Sequence, residues 1–366
     1  MRRFLQLLFF GFSINIQAQT FQAKWEKMAD LPKEIKESSG LIRTGKGTFW
    51  SHGDGGNTSE IYEFDSTGRL LRTLGFHNAQ NIDWEDISQD KFGNIWLGDV
   101  GNNDSDRDDL TLFKISNPSL HDSDLVHVSI LEISYEDQKN IPSPIGNRNF
   151  DVEGIACYKD SILLVTKNRS FPNSGYAKIY IVPAASGKMV AKLVDSIFTE
   201  THIQLGRITG ADFLENKGLL YLTSLHQVFS VPFNGGKIKS DSIKRFRFEF
   251  HSNQFESIVM KNETEFYSTA EKPSILCKGS LINSNFIYPL KVNQESNQLI
   301  YFNQGTLLFK NRTYNGRLDV YDMTGKKVFY TLVKDQKSVP LNLNKNQIYV
   351  AVMNNSEGTF TLEFSY

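Results

Sequence analysis

Five short segments of this 366-residue chain each place an oxygen-bearing side chain just before an apolar run. The side chains at the equivalent position are Ser39, Glu85, Glu153, Thr209 and Glu256. Oxygen ligands with carboxylate charge are what Ca²⁺ prefers, and three carboxylates held close together do not all stay ionised without a counter-ion. The set contains no imidazole or thiolate, which disfavours zinc and copper. If the fold brings the five side chains together, they predict a Ca²⁺ site.

The spacing of the five residues indicates a fold that does this. The intervals between them are 46, 68, 56 and 47 residues, and a strand-rich period of roughly 40–50 residues is typical of propeller blades. A propeller aims the equivalent position of every blade at one central axis. The alternative is a metal-free plug, in which these side chains accept hydrogen bonds from backbone amides of the neighbouring blade and close the channel with water.

Polar residues at the ends of the second strands are expected to form an outer ring on the same face. The candidate catalytic residues are His52, Asp54 and Asp99, and the candidate ligand-binding residues are Asn102, Lys167, Arg169, His226 and Lys272. Two cations beside a bound Ca²⁺ would suit a phosphate or a carboxylate, and a histidine can serve as general acid or base near neutral pH. The alternative for each residue is a loop end that is polar because it is wet.

The elements that position these residues are predicted to be strands and turns. Runs of four to seven Phe, Tyr, Ile, Leu and Thr residues alternate with Gly, Asn, Asp and Ser clusters, which is typical of strands, and no amphipathic helix of three turns is evident. The prediction is an all-β chain with a five-bladed β-propeller over residues 20–290. Residues 24–29 are expected to supply the missing outer strand of blade five and to close the ring. Six blades would require one hidden in the 85–153 interval.

The pattern changes near residue 290. A polar linker over 291–297 precedes seven short strand-like runs in 298–366, which is the strand density of a small β-sandwich. The sequence therefore predicts a second domain after the propeller.

The N-terminus and the composition indicate where the protein acts and which classes of partner are disfavoured. Arg2 and Arg3 precede a short apolar run and the small residue Ala18, the layout of a secretory signal peptide over residues 1–19; a buried N-terminal helix is the alternative. The net charge of −1, from 40 basic and 41 acidic residues, argues against a general nucleic-acid or membrane-surface binder. Cys157 and Cys277 are expected to be buried free thiols, with one disulfide after export as the alternative.

Three resemblances follow from these motifs. The ordered set Ser39, Glu85, Glu153, Thr209 and Glu256 is similar to the calcium-activated nucleotidase (apyrase) family, which implies a five-bladed propeller with a central Ca²⁺ and hydrolysis of nucleoside di- and triphosphates. The chain departs from that family because Thr209 stands for a serine and 167–169 (Lys-Asn-Arg) for paired arginines.

The phrases at 84–87 (W-E-D-I) and 97–103 (L-G-D-V-G-N-N) more closely resemble exported propellers that have no settled activity. Residues 294–366, with D-V-Y-D-M-T-G-K-K-V at 319–328, resemble the C-terminal sorting domain of the type IX secretion system. That resemblance implies export through the periplasm and a secretion machinery as partner, whereas a generic sandwich is the alternative.

Two functions follow as hypotheses. The first is a secreted propeller with a Ca²⁺ site, whose top face binds a glycan, a peptide or a surface partner without catalysis. The second is a Ca²⁺-dependent hydrolase of a phosphorylated or anionic small molecule. The sequence does not name the ligand.

Overall fold

The computed structural model describes residues 17–201, 206–248, 254–287, 300–303, 305–309, 314–322, 327–344, 348–355 and 358–365. The chain divides into two compact units, Met1–Tyr288 and Pro289–Tyr366. Residues 1–16 of the predicted signal peptide and the whole predicted linker lie outside the described residues.

The first unit is built almost wholly from short antiparallel strands. In chain order they are β1 (Gln17–Asp30), β2 (Ser38–Arg43), β3 (Phe49–Gly53), β4 (Glu60–Phe64), β5 (Leu70–Phe76), β6 (Trp84–Gln89), β7 (Ile95–Asp99), β8 (Thr111–Ile115), β9 (Leu125–Val126), β10 (Ser129–Tyr135), β11 (Val152–Tyr158), β12 (Ser161–Thr166), β13 (Tyr176–Pro183), β14 (Gly187–Phe198), β15 (Ile208–Leu214), β16 (Leu219–Ser224), β17 (Gln227–Asn234), β18 (Lys237–Ile238), β19 (Lys244–Phe248), β20 (Val259–Met260), β21 (Glu265–Ala270) and β22 (Ile275–Ile287). The described helices are 3₁₀ turns at Pro118–Leu120, Ile145–Asn147, Glu215–Lys217 and Ser240–Ser242.

All of these strands except β9 and β18 form five groups of four that are arranged in a ring. The groups are β2–β5; β6, β7, β8 and β10; β11–β14; β15, β16, β17 and β19; and β20, β21, β22 and β1. The first strands contact each other in the order β2, β6, β11, β15 and β20, and β20 contacts β2 again. The fold is therefore the predicted β-propeller.

The N-terminal strand closes the ring, as the sequence predicts. β1 pairs antiparallel with β22 in the last blade, with Lys24 opposite Ser280 and Trp25 opposite Gly279. Its outer edge pairs parallel with β19 of the fourth blade. The N-terminal strand thus completes the last blade and joins the two ends of the ring.

The long 85–153 interval contains no sixth blade among its described strands. Its extra residues form β9, which pairs with the outer edge of β5 in the first blade, before β10 completes the second blade. A second outer-edge pairing joins β10 to β14 in the third blade.

Apolar side chains fill the space between neighbouring blades. One cluster joins the first and second blades through Trp50, Leu74 and Trp84, and similar clusters join each later pair and close the circle. Each blade is buried on both faces, which explains why its strands are apolar runs rather than strict alternations. Both cysteines are free thiols in different blades, and burial raises the pKa of each to about 12.

The second unit is the expected small sandwich. Its strands are β23 (Ile300–Asn303), β24 (Thr306–Phe309), β25 (Tyr314–Asp322), β26 (Lys327–Gln336), β27 (Ser338–Pro340), β28 (Ile348–Asn355) and β29 (Gly358–Ser365). They form one sheet of β23, β24 and β27 and another of β26, β25, β28 and β29. Leu307 and Val339 of the first sheet pack with Leu318, Val320 and Met353 of the second.

Candidate metal and ligand site in the axial pocket

A β-bulge sits at four of the five marked residues. The pairing of β2 with β3 skips Ser39, and the corresponding pairings skip Glu85, Glu153 and Thr209. The register changes by the same one residue between the Phe255–Ala270 bridge and the Val259–Tyr267 pair, a stretch that contains Glu256. A bulge breaks the two-residue alternation and re-aims the extra side chain. The same local device thus recurs at the start of every inner strand.

Ser39, Glu85 and Glu153, together with Glu256, open onto a small pocket of about 200 Å³. We call it the axial pocket. Seven carboxylates and two cations line it together with three neutral residues: Glu37, Asp54, Asp83, Glu85, Glu153, Glu256, Glu271, Lys167, Arg169, Ser38, Ser39 and Asn103. This volume is below the range of about 300–1,000 Å³ that is typical of small-molecule sites.

Two triads of carboxylates share Glu85 at this pocket. In one, single oxygens of Asp54, Asp83 and Glu85 lie within 4.8 Å of one another; in the other, the same holds for Glu85, Asp151 and Glu153. Carboxylate oxygens at such spacing can ligate one hard cation.

Two glycines make room for the first triad. A Cβ on Gly55 would lie 2.3 Å from Asp83 Oδ1, and a Cβ on Gly101 would lie 2.3 Å from both Asp83 Oδ2 and Glu85 Oε1. Real Cβ atoms do not approach oxygens so closely. The carboxylate of Asp83 therefore sits in a cradle that exists because positions 55 and 101 lack side chains.

Cationic side chains are bonded to the second triad. Lys167 Nζ lies 2.7 Å from Glu153 Oε1, and Arg169 pairs with both Asp151 and Glu153. Among the described residues, no ion pair involves Asp54, Asp83 or Glu85. The first triad is thus the one that fits an added divalent cation, while the charge of the second is already compensated.

Burial and crowding disfavour the ionised form of these carboxyls. Burial, reinforced by Asp151, raises the pKa of Asp83 to about 6. Burial raises the pKa of Glu153 to about 7 and of Glu256 to about 8, although Lys167 opposes both shifts. Burial and the neighbouring Glu153 raise the pKa of Glu85 well above its usual range. A bound cation would supply the missing counter-charge.

Two further aspartates join the blades through backbone hydrogen bonds. Asp86 Oδ2 accepts hydrogen bonds from the backbone amides of Ile155 (2.9 Å) and Ala211 (3.2 Å), in the third and fourth blades. Asp212 Oδ2 accepts one from Met260 (2.7 Å) in the fifth. These two aspartates therefore accept the backbone hydrogen bonds between blades that the metal-free alternative assigned to the marked residues.

The two marked hydroxyls bond to neighbouring blades in the opposite sense. Ser39 Oγ donates to the carbonyl of Glu85 (2.7 Å), and Thr209 Oγ1 donates to the carbonyl of Phe255 (2.6 Å). Ser39 lines the axial pocket and Thr209 does not. The predicted ring of five is therefore brought together only in part, by Ser39 and the three glutamates.

The candidate catalytic residues separate into one at the pocket and two away from it. Asp54 lines the pocket, whereas His52 is fully buried against Trp84 with Nδ1 2.9 Å from the Gly53 carbonyl. Burial lowers the pKa of His52 to about 4, so the imidazole is neutral and out of contact with solvent. The expectation that His52 serves as an acid or base on the rim is wrong, because its strand turns it into the core.

Asp99 and Asn102 are structural supports rather than rim residues. Asp99 is buried, accepts the backbone amide of Asp83 at 2.8 Å and pairs with Arg107. Asn102 Oδ1 accepts the amides of residues 106 and 107 and shapes the loop that carries Gly101. Both act on the pocket through the residues that they hold in place.

The candidate ligand-binding residues also separate. Lys167 and Arg169 line the pocket, whereas His226 and Lys272 do not. The side chain of Lys272 is 71% exposed and pairs with Glu271, and His226 lies between β16 and β17.

Sequence reasoning missed Asp83 and Asp151, although a signal was present. Each stands two residues before a marked glutamate, in the repeated phrases Asp83-Trp84-Glu85 and Asp151-Val152-Glu153. Glu37 occupies the same place before Ser39. Asp83 and Asp151 directly precede β6 and β11, and the bulges turn Glu85 and Glu153 toward them.

Fold and site together define a β-propeller with an acidic, metal-compatible axial pocket. No family model matches the chain, and no curated protein matches it. Among solved structures, it is similar to a PQQ-bound aldose sugar dehydrogenase from Streptomyces coelicolor at 10% identity, covering 73% of this chain and all of that one with a TM-score of 0.41.

A streptogramin B lyase matches at 12% identity over 71% of this chain and 98% of its own, with a TM-score of 0.37. A putative gluconolactonase matches at 10% identity over 71% and 93%, with a TM-score of 0.38. At these values the likeness assigns no activity to this chain. In the part of the chain that the structure describes, no helix has the length and apolar character needed to cross a bilayer.

Proposed function

We propose that this protein is an exported binding propeller that holds Ca²⁺ in the axial pocket and uses this face to capture an anionic group of its ligand. The observation that carries the proposal is the triad of Asp54, Asp83 and Glu85, with oxygens within 4.8 Å and Asp83 cradled by two glycines. Three carboxylates without a bonded cation are a better match to a divalent ion than to water alone.

The cations beside the triad support the second half of the proposal. Lys167 and Arg169 line the same 200 Å³ pocket and are bonded there to Glu153 and Asp151, so a phosphate, sulfate or carboxylate group would share the two cations with these carboxylates and contact the metal side. Bound Ca²⁺ supplies the positive charge that attracts and orients such a group.

Calorimetry on the chelator-treated full-length protein tests the metal site. We expect a Ca²⁺ binding heat and a higher thermal midpoint with Ca²⁺, and at least a tenfold loss of affinity in Asp83→Asn. Asp160→Asn is the matched control, since that carboxylate is 87% exposed at the β11–β12 turn. A flat titration with an unchanged midpoint would overturn the proposal.

A second candidate is a Ca²⁺-dependent hydrolase of a phosphorylated or other anionic small molecule. The observation that favours it is Glu256, a carboxyl whose pKa burial raises to about 8, in a pocket that also contains Lys167. A protonated carboxylic acid there can donate a proton to a leaving group.

An activity panel separates the two candidates. Nucleotides, phosphate esters, lactones and oligosaccharides are incubated with the protein in Ca²⁺ and in chelator. Ca²⁺-dependent turnover that is lost in Glu256→Gln while Ca²⁺ binding remains would establish the hydrolase; no turnover on any substrate leaves the binding function.

Export rests on the N-terminal and C-terminal segments of the sequence. We propose that residues 1–19 are removed and that residues 298–366 address the chain to a type IX secretion machinery. N-terminal sequencing of protein recovered outside the cell checks this, with a start near Gln19 or Thr20 expected; an intact Met1 would contradict it.

A further inference from the structure

A second cavity among the described residues lies apart from the axial pocket. It is a cleft of about 450 Å³ between the loop joining β10 to β11 and the loop joining β12 to β13. We call it the side cleft. The β12–β13 loop separates the two sites, because Lys167 and Arg169 face the axial pocket and Ser170 and Ser174 face the side cleft.

The walls of the side cleft are preformed. Two backbone hydrogen bonds join the loops, from the Arg169 amide to the Arg148 carbonyl (2.9 Å) and from the Phe171 amide to the Ile145 carbonyl (3.0 Å). Asn149 ties the β10–β11 loop to the third blade, since it accepts a hydrogen bond from the Thr166 hydroxyl and donates one to the Tyr176 carbonyl. A cleft that is rigid before binding loses little conformational entropy when a ligand enters.

Two lysines and one aspartate line the side cleft: Lys178 pairs with Asp137, and Lys139 donates to the backbone carbonyl of Glu136. Lys178 Nζ lies 2.6 Å from Asp137 Oδ2 and 4.1 Å from the centre of the Phe150 ring. The remaining polar lining is mostly neutral amides and hydroxyls, among them Asn140, Ser143 and Asn147. Neutral donors and acceptors of this kind match hydroxyl groups better than they match an isolated ion.

Apolar side chains stand exposed on the same two loops. Phe171 is 71% exposed and Ile145 is 57% exposed, and the hydrogen bond between their backbones holds them side by side. Neither side chain lines the cleft itself, but both stand on the loops that form its walls. A pyranose ring is complementary to this combination, because it has hydroxyls at its edge and C–H groups on its face.

We propose that the side cleft is a saccharide site that takes a neutral sugar unit, with its hydroxyls on Asn140 and Asn147 and its apolar face toward Phe171. The volume lies within the range of small-molecule sites. The proposal rests on the ligand-binding function of this face and adds the class of ligand and its position. Because the cleft is formed by loops and offers no open strand edge, it favours a saccharide over an extended peptide.

Titration of the full-length protein with neutral malto-, cello-, xylo-, manno- and chito-oligosaccharides tests the proposal. We expect at least one series to bind, with affinity reduced about tenfold by Phe171→Ala and by Asn147→Ala. Phe92→Ala is the matched control, since Phe92 is 67% exposed in the β6–β7 turn at the opposite end of the strands. Thermal midpoints of the three variants report whether each remains folded.

Failure of this proposal is distinguishable from failure of the Ca²⁺ site. Saccharide binding that persists in chelator, together with normal Ca²⁺ binding by Phe171→Ala, supports two separate sites. Absence of binding to every series, binding that Phe171→Ala and Asn147→Ala leave unchanged, or competition from a peptide for the same residues each overturns the saccharide site.

Discussion

At the residue scale, the axial pocket depends on two glycines as much as on its carboxylates. Gly55 and Gly101 leave the space that the Asp83 carboxylate occupies, while Asp99 fixes the backbone of Asp83 from behind. The sequence pattern predicts Glu85 and Glu153 as site residues, but the contact of Gly55 and Gly101 with Asp83 depends on how the loops fold. Such close approach of a backbone to a charged group is a common reason for a glycine.

Gly101→Ala is expected to weaken Ca²⁺ binding at least tenfold, about 1.4 kcal/mol. The new Cβ would lie 2.3 Å from an oxygen of Asp83 and from one of Glu85, so the triad must spread. Calorimetry measures the loss. Gly45→Ala is the control because its Cβ meets nothing within 4 Å; equal affinities in both variants would exclude Asp83 and Glu85 as ligands.

Ca²⁺ binding is expected to strengthen as pH rises from about 5.5 to 8.5. The ligand carboxyls must lose protons to bind the metal, and the pKa of Asp83 is raised to about 6 by burial and Asp151, with that of Glu85 also raised. Titrations in buffers of different ionisation enthalpy should show proton release on binding. An affinity independent of pH would show that the titrating carboxyls are not ligands.

At the scale of elements, closure of the ring depends on the N-terminal strand. The pattern of residues 24–29 was enough to predict a strand there, and β1 pairs along β22 as expected. What the pattern did not contain is the second, parallel partner of β1 in the fourth blade, because outer-edge pairing is set by the angle between blades and not by local residue type.

Trp25→Ala is expected to lower the thermal midpoint of the first unit by roughly 4–8 °C, for a cost of about 2 kcal/mol. Trp25 packs edge-to-face on the fully buried Phe255 at 5.5 Å and so joins the closing strand to the last inner segment. Differential scanning calorimetry measures the shift, with the exposed Phe92→Ala expected within about 0.5 kcal/mol of the parent. Similar midpoints for both variants would mean that closure contributes little to stability.

At the scale of the whole molecule, the raised carboxyl pKa values make the stability of the propeller depend on pH. A carboxyl whose pKa is higher in the folded state binds more protons there than in the unfolded chain, so stability falls as pH rises between the two pKa values. For Glu153 and Glu256 that window runs from their ordinary value of 4.5 to about 7 and about 8.

Without Ca²⁺, the thermal midpoint is therefore expected to fall between pH 5 and pH 8. Ca²⁺ at 100 times its dissociation constant is expected to raise the free energy of unfolding by about 2.7 kcal/mol. The thermal midpoint then rises by roughly 5–10 °C at pH 8 and by less at pH 5. Thermal scans at both pH values, with Ca²⁺ and with chelator, check this. A Ca²⁺ effect that is larger at pH 5 would contradict it.

The sequence by itself determined the repeat, the propeller, its closing strand and the following sandwich, because apolar strand runs and turn residues act locally and recur with a fixed period. It also placed Glu85, Glu153 and Glu256 at equivalent points of their blades.

Only the tertiary structure decided which oxygens meet. The bulges aim the marked side chains toward the axis, the Asp-x-Glu phrases bring Asp83 and Asp151 beside them, and the core withdraws His52 from the rim. Those outcomes depend on where neighbouring blades lie, since a side chain faces the pocket or the core according to a one-residue change of register.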